Sequence, residues 1–231
     1  WWLIFTLPLI RTYKQKYGRE RGPEDTIGHI VGGVFSEVGH TMREIAHNKT
    51  VLVYMIAFFF YIDAVNTVIS MSTSYGAELG IDSTQLVVAL LVTQFVAFPC
   101  AILYGRLAGR FGCKVMITAA VVAYMCIVFF AAFFLKSAVE FWILAILVGM
   151  FQGGIQALSR SYYGKIIPKD HANEYYGFYD IFGKTASIIG TFLVATTTSL
   201  TGNASLGVLS IAVLLVAALV FLLLQKDPTR E

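Results

Sequence analysis

Charged residues are absent from long stretches of this chain. Three of these stretches contain no Asp, Glu, Lys or Arg: Thr84–Gly105, Val115–Leu135 and Phe141–Ser159. Each is close to the ~20 residues that an α-helix needs to cross the hydrocarbon core of a bilayer. The pattern therefore predicts three membrane-spanning helices, at about 84–105, 114–135 and 140–162.

Weaker signals predict three further spans. The first lies in Thr50–Ala77, which is apolar except for Asp63 and a Thr/Ser-rich second half. One buried acid does not disqualify a span. Thr185–Leu224 contains no charge but is too long for one crossing, and Thr201-Gly202-Asn203 inside it is a turn signal. The three predicted helices cover about 50–76, 175–199 and 204–224. Together the six helices form a predicted transmembrane domain over residues 50–224.

The composition favours a membrane protein over a soluble one. Hydrophobic residues make up 57% of the chain and charged residues 13%, and the mean hydropathy is +0.71. A soluble globule of 231 residues would need more polar surface than this. We therefore expect an all-α membrane protein, a bundle of six transmembrane helices that has the lipid bilayer as its surroundings.

The Lys and Arg residues are concentrated on one side of the predicted bundle. Of the 17, seven fall in 11–49, three in 106–114, three in 160–169 and two in the tail 225–231. Loops rich in Lys and Arg face the cytoplasm. We therefore expect the linker 11–49 and the C-terminal tail to be cytoplasmic. The net charge of +3 reflects this asymmetry, and no compact basic module indicates a nucleic-acid partner.

The segment before the first complete predicted span has two parts. Residues 1–10 are apolar but cover only half a membrane, so we expect them to be the end of a preceding transmembrane helix. Residues 11–49 form a polar linker, in which apolar residues recur at helical spacing and predict an amphipathic surface helix over about 27–46. His40 and His47 lie seven residues apart, but no Cys or acid completes a set of metal ligands.

The stretch between the second and third predicted helices is rich in glycine and basic residues. It consists of Gly105-Arg106-Leu107-Ala108-Gly109-Arg110-Phe111-Gly112-Cys113-Lys114. Glycines let two helix ends approach, and the basic side chains can reach helix C-termini or lipid phosphates.

This stretch is similar to a loop motif of the major facilitator superfamily, Gly-x-Leu-(Ala/Gly)-Asp-Arg-(Phe/Tyr)-Gly-Arg-(Arg/Lys), in the copy between the eighth and ninth helices. Gly109 replaces the Asp of that motif and Cys113 replaces an Arg. Packing and gating therefore remain alternative roles for the motif. The residues concerned are Gly105, Arg106, Arg110, Gly112 and Lys114.

A second resemblance runs along essentially the whole chain. The matching strings are Phe151–Ser161, Ile167-Pro168 and Tyr176–Lys184, together with Tyr61-x-Asp63 and Leu3–Leu9. They are similar to the vacuolar amino-acid effluxers linked to autophagy and their bacterial relatives. The resemblance implies a twelve-helix major facilitator fold, of which this chain is the C-terminal six-helix half. The missing N-terminal six-helix half is then an expected partner. It also implies amino-acid export in the fungal members and, for a bacterial member, the inner (cytoplasmic) membrane.

Polar residues inside membrane helices are costly and are therefore candidates for function. The candidates for a substrate or ion pathway are Asp63, Asn66, Gln94, Gln152, Gln156, Asp180 and Lys184. Counting ~1.5 Å per residue from the ends of the predicted helices places four of them about 15–20 Å deep, near the midplane: Asp63, Gln94, Gln152 and Lys184. Six form pairs at a spacing of three or four residues, so each pair shares a helix face. We expect these faces to point at one another or into a wet cavity.

Simpler roles remain open for several of these residues. Asp180 and Lys184 are either an intrahelical ion pair or part of a substrate site. Gln152 and Gln156 either join helices or line a pathway. Asp63 has no basic residue three or four positions away on its helix, so we expect a coupling or substrate-binding role for its carboxyl group.

These features predict a secondary transporter that moves a small polar metabolite by alternating access. A zwitterionic amino acid is a candidate substrate, with its charges matched by Lys184 and Asp63, and protons are a candidate coupling ion through Asp63. We expect Arg160 to reach phosphates rather than to bind substrate. The alternatives are a membrane sensor or scaffold and a self-contained six-helix homodimer. No catalytic, cofactor or metal arrangement is recognised, so we do not expect an enzyme.

Overall fold

The computed structural model describes residues 3, 6–8, 10, 39, 41–78, 80–169 and 171–228. The chain divides into two compact units, Trp1–Gly39 and His40–Glu231. Most of the first unit lies outside the described residues, including half of the predicted span end at 1–10 and most of the amphipathic helix predicted at about 27–46. The second unit contains every helix discussed below.

In the second unit, a short helical segment over 41–47 is followed by seven described α-helices. They are α1 (Lys49–Glu78), α2 (Ser83–Phe111), α3 (Cys113–Phe134), α4 (Ala138–Ile166), α5 (Ala172–Thr185), α6 (Ile188–Thr201) and α7 (Ala204–Leu224). Among the described residues there is no β-strand. Six segments are long and apolar enough to cross a membrane, and α5 and α6 together form the fifth, Ala172–Thr201. The expected fold class, an all-α bundle of six membrane helices, is confirmed.

Helix α1 is the most buried of the six spans and lies at the centre of the packing. Tyr54, Tyr61 and Val65 on α1 have no exposed surface. Its main neighbour is α7, which also packs against α3 and α6. Leu215 and Leu222 of α7 are equally inaccessible. The core therefore includes the α1–α7 contact and extends to α3 and α4, where Tyr124 and Tyr162 are also inaccessible.

Helices α2 and α4 cross closely because two glycines of α4 face α2. A Cβ atom at Gly149 would lie 2.7 Å from the Thr93 carbonyl oxygen, and one at Gly153 would lie 2.7 Å from the Ala97 carbonyl oxygen. Because these glycines are four residues apart, they lie on one face of the helix. Small residues at this spacing let membrane helices pack backbone to backbone.

The fifth span is broken in its middle, whereas the sequence predicts one helix over about 175–199. Helix α5 ends where the Ala186 N–H donates to the Phe182 carbonyl oxygen, and α6 begins at Ile188. Between them Ser187 has φ +100°, a left-handed conformation that costs energy for a residue with a side chain. Neither Pro nor Gly occupies the break, so the local sequence carries no signal for it.

The start of α5 is bonded to the segment 41–47. The Thr41 hydroxyl donates to Glu174 Oε2 at 2.8 Å, and the Tyr175 hydroxyl donates to Glu44 Oε2 at 3.4 Å. Thr41 and Ile45 are buried. The residues that precede α1 therefore form part of the packing at the start of the fifth span.

Candidate functional site

A seam of hydroxyl groups joins α1 to α4. The Tyr54 hydroxyl donates to the Ser159 carbonyl oxygen at 2.9 Å, and the Tyr61 hydroxyl donates to Ser159 Oγ at 2.6 Å. All three residues are fully buried. Buried hydroxyl groups need such partners because no water can replace them. The seam fixes the mutual position of the two helices that form two walls of the adjacent pocket.

An open pocket of about 330 Å³ lies where α1, α4 and α5 meet. Its lining residues are Phe58, Ile62, Asn66, Gln156, Arg160, Tyr179 and Gly183. The structure thus brings together two of the predicted site residues, Asn66 and Gln156, and adds Arg160. Its volume is within the ~300–1,000 Å³ that is usual for small-molecule sites.

The charged groups at this pocket form an ion pair between α4 and α5. Arg160 Nη1 donates to Asp180 Oδ1 at 3.0 Å, and the two side chains remain 57% and 45% exposed. The Arg160 guanidinium also lies over the Tyr176 ring, 5.2 Å from its centroid, while the Tyr176 hydroxyl donates to the Arg160 carbonyl oxygen at 3.3 Å. A guanidinium has five N–H donors. Arg160 is therefore held in position by two groups while donors remain for a further acceptor.

Aromatic rings form the apolar wall of the pocket. Phe58 stacks on Tyr179 with 4.1 Å between ring centroids, and Tyr179 stacks on Tyr163 at 4.9 Å. Gly183 lies beside the Phe58 ring: a Cβ atom at Gly183 would lie 3.6 Å from Phe58 Cζ. The pocket thus has a charged and amide-bearing side and an aromatic side.

Asp63, the acid expected to bind substrate or couple transport, does not line this pocket. It is fully buried, and its Oδ1 accepts hydrogen bonds from the Ser187 N–H at 2.7 Å and the Gly190 N–H at 3.1 Å. Thr67 Oγ1 donates to the same atom at 3.3 Å. The N–H groups of Ser187 and Gly190 are among the free N–H groups at the start of α6. The Asp63 carboxylate therefore caps α6 from a neighbouring helix, a geometry that does not require a substrate.

Gln94 and Gln152 border a different and much smaller cavity of about 30 Å³ between α1, α2 and α4. Gln152 is 8% exposed, and its Oε1 has no hydrogen-bond partner among the described residues. A cavity of this size can hold one or two water molecules. The single polar level expected from the sequence is thus divided into three places: the pocket, this cavity and the α6 cap.

Asp180 pairs with Arg160 in the structure, and no ion pair joins Asp180 to Lys184, both of which are described residues. Lys184 is exposed and is absent from the pocket lining. The Arg160 guanidinium turns to α5, although its side chain is 57% exposed. A substrate role for Asp180 and Lys184 and a phosphate-facing role for Arg160 stay predictions.

The Gly105–Lys114 motif forms a helix end and a one-residue turn rather than a loop. Helix α2 continues to Phe111, and only Gly112, with φ +93°, separates it from α3. Gly105 and Gly109 lie inside α2 with no described atom within 4 Å of a would-be Cβ, so close approach does not explain them.

The basic residues of the motif differ in their surroundings. Arg106 and Arg110 are exposed, and the Arg110 guanidinium lies 5.5 Å from the Phe111 ring centroid. Lys114 Nζ donates to the Gln225 carbonyl oxygen, which directly follows α7. At the same end the Tyr162 hydroxyl donates to Asp227 at 3.2 Å. Lys114 thus joins the start of α3 to the end of α7, which is a packing contact.

Two features of the site were missed by the sequence interpretation. One is the pocket position of Arg160, for which a signal exists: Gln156 and Arg160 are four residues apart, so they share one face of α4. The other is the capping of Ser187 and Gly190 by Asp63. This contact spans 124 residues of sequence, and no local pattern reports it.

The fold and site describe an all-α integral membrane bundle of six spans with an open, partly charged pocket. The chain belongs to the Vacuole effluxer Atg22 like family, whose model matches residues 1–228. This confirms the resemblance inferred from the sequence strings.

Individual relatives agree with this assignment. The chain is 48% identical over 229 residues to the uncharacterized MFS-type transporter YxiO of Bacillus subtilis (strain 168), a match that covers 99% of this chain and 52% of that protein. It is 27% identical over 233 residues to autophagy-related protein 22 of Saccharomyces cerevisiae (strain ATCC 204508 / S288c), covering 88% of this chain and 44% of that protein. The chain spans about half the length of the curated relatives it matches.

Proposed function

We propose that the protein containing this chain is a secondary transporter that moves a small zwitterionic metabolite, an amino acid, across a membrane by alternating access. The carrying observation is the pocket in which Asn66, Gln156 and the Arg160–Asp180 pair lie opposite an aromatic wall. The names of the relatives, an MFS-type transporter and autophagy-related protein 22, support the same class.

The pocket offers matching groups for both charges of an amino acid. Arg160 supplies planar N–H donors for a carboxylate, and Asp180 supplies an acceptor for an ammonium group. Gln156 and Asn66 add neutral hydrogen bonds, and Phe58 with Tyr179 provides an apolar surface for a side chain. This assignment replaces Lys184 and Asp63 as the charge-matching pair, since neither lines the pocket.

The position of the pocket along the helices also favours a solute site. Gln156 lies ten residues before the end of α4 at Ile166, and Asn66 lies twelve before the end of α1 at Glu78. At ~1.5 Å per residue these positions are about 15–18 Å from their helix ends. Amide and charged groups at such depth are stabilised by water or protein rather than by lipid. We therefore assign the open side of the pocket to the solute pathway shared with an N-terminal six-helix half.

In this proposal the end of the bundle that holds Gly112 and Gln225 faces the cytoplasm. The basis is the concentration of Lys and Arg in the connections at that end. A bacterial protein of this family would then lie in the inner membrane with its C-terminus inside.

Counterflow in proteoliposomes tests the proposal. The full-length protein is reconstituted, preloaded with an unlabelled amino-acid mixture, and assayed with each tritium-labelled amino acid in turn. Wild-type protein should exchange at least one of them, and Gln156→Leu should reduce the exchange about tenfold, as expected for the loss of one hydrogen bond to the substrate. Gln85→Leu is the matched control, because Gln85 is exposed in the first turn of α2 and does not line the pocket.

Two results would contradict the proposal. Exchange that is equally strong for Gln156→Leu and wild type would remove the pocket from the pathway. Absence of exchange for every amino acid, in protein shown to be folded, would instead favour the sensor or scaffold alternative.

A further inference from the structure

The break in the fifth span is held from outside that span. Asp63 Oδ1 accepts the N–H groups of Ser187 and Gly190, at 2.7 and 3.1 Å. Gly190 leaves room for this contact, because a Cβ atom there would lie 2.9 Å from Asp63 Oδ1 and 2.2 Å from Thr67 Oγ1. The left-handed Ser187 is thus stabilised by a carboxylate on α1. Left-handed backbone of this kind persists only when its surroundings hold it.

The two halves of the broken span are held by different partners. Helix α6 packs against α7, where a Cβ atom at Gly207 would lie 2.1 Å from Thr198 Oγ1 and 3.0 Å from the Val194 carbonyl oxygen. The start of α5 is bonded to the segment 41–47, and its second half contacts α4 through the exposed Asp180–Arg160 pair. The break at Ser187 therefore joins two helices that are anchored separately.

Helix α5 also carries one wall of the pocket. Tyr179 and Gly183 line it, and Asp180 holds the Arg160 guanidinium. These residues lie within eight positions of Ser187. A change of angle at the break would therefore move the pocket wall relative to Gln156 and Arg160 on α4.

We propose that Asp63 is a positioning residue that sets the angle between α5 and α6 by capping α6, and thereby holds the α5 wall of the pocket in its binding position. The inference rests on the proposed function for its effect on transport, but its effect on the helix angle is independent of it. Asp63 acts as a hydrogen-bond acceptor here, and the role requires no proton transfer.

Two substitutions separate this role from that of a proton carrier. Asp63→Asn keeps an oxygen acceptor for the two N–H groups, and Asn caps helix N-termini about as well as Asp. Asp63→Ala leaves both N–H groups without a partner in a buried site. A capping role therefore predicts transport by Asp63→Asn and not by Asp63→Ala, whereas a role as proton carrier predicts that both variants lose accumulation driven by a pH gradient.

The first measurement is the spread of distances across the break, in full-length protein with its native cysteines replaced. Spin labels at Ile181→Cys and Leu200→Cys use positions that are 51% and 82% exposed, on α5 and α6. The control is the pair Val115→Cys and Phe134→Cys, two exposed positions on α3 with the same sequence separation. Double electron–electron resonance should show a broader distribution of 181–200 distances in Asp63→Ala than in Asp63→Asn or wild type. The distances of the control pair should not change.

The second measurement is transport of a tritium-labelled amino-acid mixture. Asp63→Asn should retain both counterflow and accumulation driven by a pH gradient, within about twofold of wild type, while Asp63→Ala should lose about tenfold in both.

The outcomes distinguish the two proposals. Asp63→Asn that keeps counterflow but loses gradient-driven accumulation would overturn the positioning role in favour of proton coupling. An unchanged 181–200 distribution in folded Asp63→Ala would also overturn it. If wild type shows no exchange at all, the proposed transport function fails, while the distance measurement still decides the role of Asp63. If Asp63→Ala does not fold, Gly190→Ala provides the second variant, because its Cβ atom would enter the same contact.

Discussion

The Arg160–Asp180 ion pair should matter much more for transport than for stability. The two side chains are 57% and 45% exposed, and an ion pair of that exposure contributes about 0–1 kcal/mol to folding. A hydrogen bond from a guanidinium to a substrate carboxylate contributes about 1.5–3 kcal/mol. Because ~1.4 kcal/mol corresponds to a factor of ten in affinity, Arg160→Gln should weaken apparent substrate affinity roughly 10- to 150-fold.

The assay compares two quantities in the same set of variants. Arg160→Gln, Asp180→Asn and the double variant are purified in detergent for thermal unfolding and reconstituted for counterflow. The coupling free energy in unfolding should not exceed about 1 kcal/mol, while both single variants lose transport. Lys136→Gln is the control for removal of a cation, since Lys136 is exposed in the turn between α3 and α4. It should change neither quantity.

The opposite result would assign the ion pair a structural role. If Arg160→Gln unfolds at a much lower temperature but the folded fraction transports with unchanged affinity, the pair joins α4 to α5 and does not contact substrate.

Three further predictions concern packing, the tail and pH. Gly153→Val should destabilise the protein by about 1–3 kcal/mol in thermal unfolding, because its Cβ atom would already lie 2.7 Å from the Ala97 carbonyl oxygen. Lys114→Met removes the contact to the Gln225 carbonyl oxygen and should speed proteolysis of the tail after α7, with a loss of about 1 kcal/mol in stability. Asp82 caps α2, and hydrogen bonds from Thr84 lower the pKa of its carboxyl group. Its stabilising effect is therefore present above the ordinary Asp pKa of about 3.9 and lost as the pH falls through the lowered pKa, so Asp82→Ala should abolish that part of the acid dependence of unfolding.

Each of these has a contrary result. Gly177→Val is the control for Gly153→Val, because no described atom lies within 4 Å of a Cβ atom at Gly177. Equal destabilisation by both would assign the effect to helix propensity and not to the α2–α4 crossing. Unchanged proteolysis of Lys114→Met would show that other contacts hold the tail. An Asp82→Ala variant with the same acid dependence as wild type would remove the cap from the explanation.

The fold was predictable because lipid imposes a simple rule on the sequence. Uncharged stretches of about twenty residues have few structures open to them besides membrane helices. The charge-free stretch 115–135 therefore corresponds closely to α3, Cys113–Phe134. The helix ends were less predictable: α2 continues six residues beyond Gly105 to Phe111. Basic and glycine residues mark the vicinity of a turn but not the residue at which a helix ends.

The candidate site was predictable in its residue types and less so in its arrangement. Asn66 and Gln156 were candidates because they are polar residues inside predicted membrane helices, and the structure brings both to one pocket. Depth along a helix does not determine which neighbouring helix a side chain faces. Gln152 therefore borders a separate cavity although its depth is similar to that of Asp63. The break at Ser187 depends on a carboxylate 124 residues away, which is a tertiary effect beyond the reach of local propensity.

Competition in counterflow is the most direct test of whether the pocket recognises both charges of an amino acid. Full-length protein exchanging a tritium-labelled amino-acid mixture is challenged with leucine, with leucinamide, which lacks the carboxylate, and with N-acetylleucine, which lacks the ammonium group. Leucine should compete, and each analogue should compete at least about tenfold more weakly, because one charge-assisted hydrogen bond is lost. Leucinamide or N-acetylleucine competing as well as leucine would contradict recognition through Arg160 and Asp180.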